Sequence, residues 1–142
     1  MLALDVGKKR IGLAISDALG ISAQGLPTLE RKRIRDDLRA LAKLVDEREV
    51  GLLLIGKPLH MSGDESRQSE YTAEFAARLA KETGLPVLFW DERLTTVQAG
   101  RILREANATL AERKKAIDRL SAVLLLESYL DSRRYSEGNQ VG

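Results

Sequence analysis

The stretch LALDVGKKRIGLAIS, residues 2–16, contains two apolar runs that flank the charged turn GKKR. Residues 2–6 are apolar on both faces except at Asp5, which is typical of a central strand covered on both sides. Residues 11–16 alternate apolar with small side chains, and this pattern predicts a second strand antiparallel to the first. An ionised carboxylate in an apolar sheet costs several kcal/mol unless a cation or hydrogen bonds meet it. We therefore expect Asp5 to have a partner.

The turn also predicts the register of this hairpin. If Val6 pairs with Ile11, then Asp5 lies opposite Gly12. Because glycine has no side chain, the sheet face above the Asp5 carboxylate is expected to be open enough to admit the backbone of a ligand.

The rest of the chain alternates strand and helix patterns. A third antiparallel strand is predicted over residues 21–29, buried parallel strands over 51–56 and 86–90, and helices over 34–48, 68–83 and 113–133. The predicted fold is α/β, a mixed five-stranded sheet of three antiparallel strands followed by two parallel strands, flanked by helices. Residues 1–134 are expected to form a single domain, and residues 135–142 a disordered tail.

The composition limits the classes of function. With 142 residues, of which 44% are hydrophobic, the chain fits one domain. A net charge of +2 permits a polyanionic partner without requiring one. The absence of cysteine excludes disulfides and thiolate metal sites. Charged residues interrupt the N-terminal apolar run, so we predict a cytoplasmic protein with neither a signal peptide nor a membrane span.

Three carboxylates from distant parts of the chain are expected to converge. Asp91 and Glu92 follow the strand PVLFW at its carboxyl end, where α/β sheets bind ligands. Asp118 heads a face of the last helix whose small residues let it pack close to the sheet. Together with Asp5 these acids would repel one another unless Mg²⁺ or Mn²⁺ lay between them, and two such ions support phosphodiester cleavage. Taken singly, each acid also fits a local hydrogen-bonding or surface ion-pairing role.

Four segments, DVGKKRIGLAISD, GKPLHMSGDES, DERLTT and KKAIDRLSAVLLLESYLD, together resemble the YqgF family, also called RuvX, over residues 1–134. These RNase H-like proteins are described as Holliday junction resolvases and as the nuclease that matures precursor 16S ribosomal RNA. The resemblance implies an RNase H-like sheet, metal-dependent cleavage, and Asp5, Glu92 and Asp118 as catalytic acids and metal ligands, with Asp91 as a helper. Adjacent strand residues face opposite ways, so the choice between Asp91 and Glu92 stays open, with Glu92 favoured.

Several polar and glycine positions near these acids are candidates for contacting a nucleic-acid backbone. They are Gly7, Lys8, Lys9, Arg10, Gly12, Lys57, Arg93, Thr95 and Thr96. The basic turn also fits a plain charged turn, and one of the two threonines fits a helix cap. Lys57 stands where the family usually has an apolar residue, and we interpret it as a solvated loop lysine. The basic runs 31–33 and 113–115 are interpreted as solvated helix surface.

The leading hypothesis is a metal-dependent endonuclease for structured nucleic acid, with 5′-end processing of precursor 16S rRNA in ribosome biogenesis preferred. A Holliday junction resolvase is the first alternative, and it would need two opposed active sites and therefore a dimer. A non-catalytic nucleic-acid-binding module is the second. An actin-like ATPase also begins with a DxG hairpin, but 142 residues provide only one of the two domains that such proteins need. A monomer and a homodimer both remain open.

Overall fold

The structure, a computed structural model, describes residues 1–57, 64–91, 109 and 120–133. Within these residues the chain forms five strands and three helices. In chain order they are β1 (Leu2–Val6), β2 (Arg10–Ser16), β3 (Ala23–Glu30), α1 (Ile34–Glu47), β4 (Leu53–Lys57), α2 (Asp64–Thr83), β5 (Val87–Asp91) and α3 (residues 120–133).

The strands form one mixed sheet in the order β3-β2-β1-β4-β5. The pairs β1–β2 and β2–β3 are antiparallel, whereas β1–β4 and β4–β5 are parallel. The predicted arrangement of three antiparallel strands followed by two parallel strands is confirmed. The apolar residues on both faces of β1 are buried because helices cover both sides of the sheet.

The two faces of the sheet bury different sets of side chains. Helices α1 and α2 cover one face, where Leu2, Leu4 and Val6 of β1 join a large aliphatic core. Helix α3 covers the other face, where Ala3 of β1 and Ala14 of β2 leave room for close helix packing. No helix in the described parts of the chain is long and apolar enough to cross a bilayer.

Helix α3 contacts both edge strands of the sheet. A Cβ atom added at Gly25 of β3 would lie 3.2 Å from Cγ2 of Val123, so the helix passes directly over this glycine. At the opposite edge, Trp90 of β5 donates from Nε1 to Oγ of Ser128 at 3.1 Å and packs edge-on against Tyr129, with ring centroids 5.4 Å apart. The helix therefore runs across the sheet from one edge to the other.

Three predicted element boundaries are wrong. Strand β3 begins at Ala23 instead of residue 21, because Asp17 closes a turn on the backbone N–H groups of residues 21 and 22. Strand β4 begins at Leu53, two residues beyond the predicted start, and helix α2 begins at Asp64, four residues earlier than predicted. The predicted first part of the last helix, residues 113–119, lies outside the described residues.

Candidate active site

Asp5 lies near the carboxyl end of β1 between two glycine positions. The register of the first hairpin pairs Val6 with Ile11 and Asp5 with Gly12, as predicted. On the other side of β1, Leu4 pairs with Ile55, and continuing this register by one residue places Gly56 beside Asp5. Both glycines are buried, whereas Asp5 is half-buried. Neither neighbouring strand therefore contributes a side chain beside the carboxylate.

Gly12, Asp5 and Gly56 lie side by side on three neighbouring strands, and the end of β5 lies next to the end of β4. Gly56 pairs with Trp90 and Lys57 with Asp91. Trp90 packs on the α3 face, which is also the face of Ala3 and, by strand alternation, of Asp5. Phe89 packs on the opposite face, and alternation directs Asp91 to that same face. Asp5 and Asp91 therefore point to opposite sides of the sheet.

Two of the other predicted acids and three of the predicted phosphate contacts are not among the residues that the structure describes. Glu92, Arg93, Thr95, Thr96 and Asp118 lie outside the described residues. Among the residues that are described, no group of three or more histidine or acidic side chains forms a ready metal site. Of the three predicted catalytic acids, the structure therefore positions Asp5.

The turn between β1 and β2 is closed by its own backbone. The Gly7 N–H donates to the Arg10 carbonyl at 2.9 Å, and a Cβ atom added at Gly7 would lie 2.8 Å from that carbonyl oxygen. Any side chain at position 7 would therefore force the turn to shift. This gives a physical reason for the glycine that follows Asp5 by two residues.

The three cations of this turn are exposed next to Asp5 in the chain. Lys8, Lys9 and Arg10 all have exposed side chains. Arg10 forms a solvent-exposed ion pair with Glu30, with Nε and Oε1 3.7 Å apart, and such pairs contribute little to stability. The turn thus presents positive charge to solvent at the end of β1, where a phosphate backbone can reach it.

Lys57 is neither a solvated lysine nor directed to the face of Asp5. Its Nζ lies 4.3 Å from the ring centroid of Phe89, a cation–π distance, on the α1 and α2 face of the sheet. The side chain is half-buried. The interpretation of Lys57 as a solvated loop residue is therefore wrong, because the neighbouring aromatic ring holds it.

The interpretation of residues 31–33 as solvated surface is wrong at Arg31. Lys32 and Arg33 are exposed, but the Arg31 side chain is 8% exposed and pairs with Asp37, which is 2% exposed. The sequence did carry a signal for this pair. Asp37 lies between Ile34 and Leu41 on the apolar face of α1, so a buried carboxylate there also required a partner.

Comparison with protein families gives a match over nearly the whole chain. The family model described as "RuvX: Holliday junction resolvase" matches residues 1–132. A protein of Koribacter versatilis (strain Ellin345) named "Putative pre-16S rRNA nuclease" is 52% identical over 133 residues, which cover 94% of this chain and 87% of that protein. A protein of the same name from Clostridium novyi (strain NT) is 45% identical over 132 residues, covering 93% and 98% of the two chains.

Solved structures share the fold at low sequence identity. T. thermophilus RuvC in complex with a Holliday junction substrate matches with a TM-score of 0.58 and 14% identity, covering 94% of this chain and 96% of that one. The fowlpox virus resolvase in complex with Holliday junction DNA matches with a TM-score of 0.50 and 14% identity, covering 93% and 98%. These likenesses confirm the predicted RNase H-like fold.

Proposed function

This chain belongs to the RuvX family, and from that membership we propose that it is a divalent-metal-dependent endonuclease that cleaves structured nucleic acid. The observation that carries the proposal is the position of Asp5. This half-buried carboxylate lies near the end of the central strand, and Gly12 and Gly56 on either side place no side chain beside it.

We assign Asp5, Glu92 and Asp118 as the acids that hold Mg²⁺ or Mn²⁺. Carboxylate oxygens are the ligands that these hard cations prefer, and Asp5 is accessible enough to provide one. Bound ions of this kind supply activation of the attacking water and stabilisation of the leaving oxygen. Asp91 is the weaker candidate, because alternation along β5 directs it to the face opposite Asp5.

The protein's own residues would position the substrate. Lys8 and Lys9 are exposed in the turn that follows Asp5, and we assign them to contacts with the phosphate backbone. Gly12 and Gly56 add no side chain of their own beside the carboxylate. Such contacts set the position of the backbone without reading sequence, which suits recognition of a structured nucleic acid by its shape.

The preferred substrate is precursor 16S ribosomal RNA, processed at its 5′ end in the cytoplasm. Relatives that are 45–52% identical to this chain carry the name of that nuclease. Processing of one RNA end needs a single active site, which one domain over residues 1–134 can supply. Holliday junction cleavage is the second candidate, favoured by the description of the matching family model, and it requires two opposed active sites in a dimer.

The deciding experiment offers both substrates to the same purified protein. Precursor 16S rRNA and a synthetic four-way DNA junction are incubated separately with Mg²⁺ or Mn²⁺, and products are mapped at nucleotide resolution. We expect metal-dependent cleavage of the RNA near the 5′ end of the mature sequence. Asp5→Asn and Asp118→Asn should abolish it, since each removes a charged oxygen ligand.

Asp46→Asn is the matched control, because it makes the same change of charge at an exposed position on α1. Paired symmetric nicks in the junction without cleavage of the RNA would show that the protein is a junction resolvase and not a nuclease for precursor rRNA. Cleavage that Asp5→Asn leaves unchanged, in protein free of contaminating nuclease, would refute the assigned active site.

A further inference from the structure

Arg31, the residue that follows β3, connects three parts of the structure around the Gly7–Arg10 turn. Its Nε lies 3.0 Å from Oδ2 of Asp37 in the first turn of α1, and its Nη1 donates to the Gly7 carbonyl at 3.0 Å. Its own backbone N–H donates to the Lys9 carbonyl at 2.9 Å. One residue therefore holds the turn at two points.

The surroundings fix the direction of the guanidinium. It lies over the rings of Phe75 and Tyr71 on α2, at 5.1 and 5.5 Å from their centroids. Asp37 uses its second oxygen, Oδ1, to accept the backbone N–H of Lys32 at 3.0 Å. Because both partners are buried and the fork of an arginine is planar and rigid, the guanidinium presents an N–H of Nη1 to the Gly7 carbonyl in one fixed orientation.

Stability alone does not explain a buried charge pair at this place. Replacing such a pair by apolar side chains of similar volume is often neutral or stabilising, so a purely structural contact needs no charges. What apolar side chains cannot do is hold a carbonyl oxygen at a defined point. The oxygen held here belongs to Gly7, two residues beyond Asp5 and adjacent to Lys8.

We propose that Arg31, oriented by Asp37, is a positioning residue for phosphodiester cleavage: it fixes the turn that sets Asp5 and the exposed lysines relative to each other. This inference rests on the proposed nuclease function. Arg31 lies on the α1 and α2 side of the sheet, packed against Phe75, and acts through the turn without touching the substrate.

The test compares three variants with the wild-type protein. Arg31→Met combined with Asp37→Leu removes both charges together, so no unpaired charge is left buried and the fold is retained. Arg31→Lys keeps the charge that pairs with Asp37 but loses the fork that reaches Gly7. Arg35→Met is the matched control, because Arg35 is an exposed arginine in the first turn of the same helix.

Two measurements are made on each variant. Amide hydrogen exchange reports how firmly residues 5–10 are held, and steady-state cleavage of the RNA gives kcat and KM separately. For the double variant we expect faster exchange confined to residues 5–10, a decrease in kcat on the order of tenfold or more, and a KM within about twofold of wild type. Arg31→Lys should show the same pattern more weakly, and Arg35→Met should show neither change.

The outcomes separate this inference from the proposed function. A wild-type protein that cleaves neither substrate refutes the function, whereas an active wild type with unchanged kcat in the folded double variant refutes only the positioning role. A rise in KM at constant kcat would overturn it too, because the turn would then serve substrate binding alone and not the placement of Asp5 for cleavage. Unchanged exchange at residues 5–10 would show that Arg31 does not hold the turn.

Discussion

Asp5 and Gly12 are direct partners across the β1–β2 hairpin, so the carboxylate of one strand lies beside a position without a side chain on the next. A single substitution at position 12 would therefore place a side chain next to the Asp5 carboxylate. Because β-branched residues suit a strand, a valine at position 12 would place a side chain beside the carboxylate while keeping the backbone extended.

We predict that Gly12→Val reduces cleavage by roughly 10²-fold, since displacing a reacting group by about 1 Å has an effect of that order. Single-turnover cleavage and a Mn²⁺ titration measure the effect, and thermal unfolding reports on the fold. Gly51→Val is the control, because a Cβ at Gly51 meets no atom within 4 Å. Full activity in folded Gly12→Val would show that the space is not used.

Glu92 and Asp91 should differ sharply in their contribution to cleavage. Alternation along β5 directs Asp91 to the face opposite Asp5, so we expect Asp91→Asn to keep most of the activity. Glu92→Gln should lower kcat by about 10²–10³-fold, as expected for loss of a group that acts on the reacting phosphate. The reverse ranking of the two variants would assign Asp91 as the ligand.

Gly7→Ala should loosen the turn because its Cβ would lie 2.8 Å from the Arg10 carbonyl oxygen. We expect the free energy of unfolding to fall by about 1–3 kcal/mol, the range for backbone conflicts of this kind. Urea denaturation measures this change. Gly51→Ala serves again as the control, and an equal midpoint for the two variants would contradict the assigned steric conflict.

The exposed lysines of the turn should appear in the salt dependence of binding. If Lys8 and Lys9 each neutralise one phosphate, then Lys8→Gln and Lys9→Gln each lower the slope of log K against log salt by about 0.7–0.9. Lys43→Gln provides the comparison, because Lys43 lies on α1 and pairs with Glu47 at 3.8 Å. Unaltered slopes for both turn variants would show that neither lysine contacts a phosphate.

Asp17 should make part of the stability depend on pH. The backbone N–H of Ile21, 2.7 Å from Oδ1, and hydrogen bonds from Ser22 hold the pKa of Asp17 below its usual value. A carboxyl whose folded pKa is lowered stabilises the protein above its unfolded pKa, near 3.9, and loses this effect as the pH falls through the folded pKa.

Asp17→Asn should therefore lower the urea midpoint at pH 7, and the difference from wild type should shrink below about pH 4. Asp46→Asn controls for the change in net charge. A difference between Asp17→Asn and wild type that is the same at pH 7 and at pH 3 would mean that the hydrogen bonds of this turn do not depend on the charge.

The sequence predicts the first hairpin well because its register depends on local features: a charged turn between two apolar runs and one glycine opposite one acid. The start of α2 is harder to predict, since residues 64–67 are polar and carry no apolar periodicity. The orientation of Asp91 also cannot be predicted from the sequence, because β5 is apolar on both faces. The packing of Trp90 against Tyr129, and of Phe89 in the opposite core, distinguishes those faces.

The contacts of Arg31 could not be predicted from local sequence patterns. Its partners Gly7 and Phe75 are distant in the chain, and a basic run at the start of a helix usually lies in solvent. The buried position of Asp37 on α1 was readable from periodicity, but which cation meets it depends on how three elements pack together. Long-range packing of this kind is what a single sequence does not specify.

The packing of α3 across the sheet affects how the chain folds during its synthesis. Ala3, Ala14 and Leu54 are buried beneath residues of the final helix, including Leu126 and Leu130. During synthesis the N-terminal strands emerge first, and the part of this apolar surface that α3 covers stays open until residues 120–133 have left the ribosome. The nascent chain is therefore exposed to aggregation at this surface until α3 packs on it, and chaperone binding before that step would protect the surface.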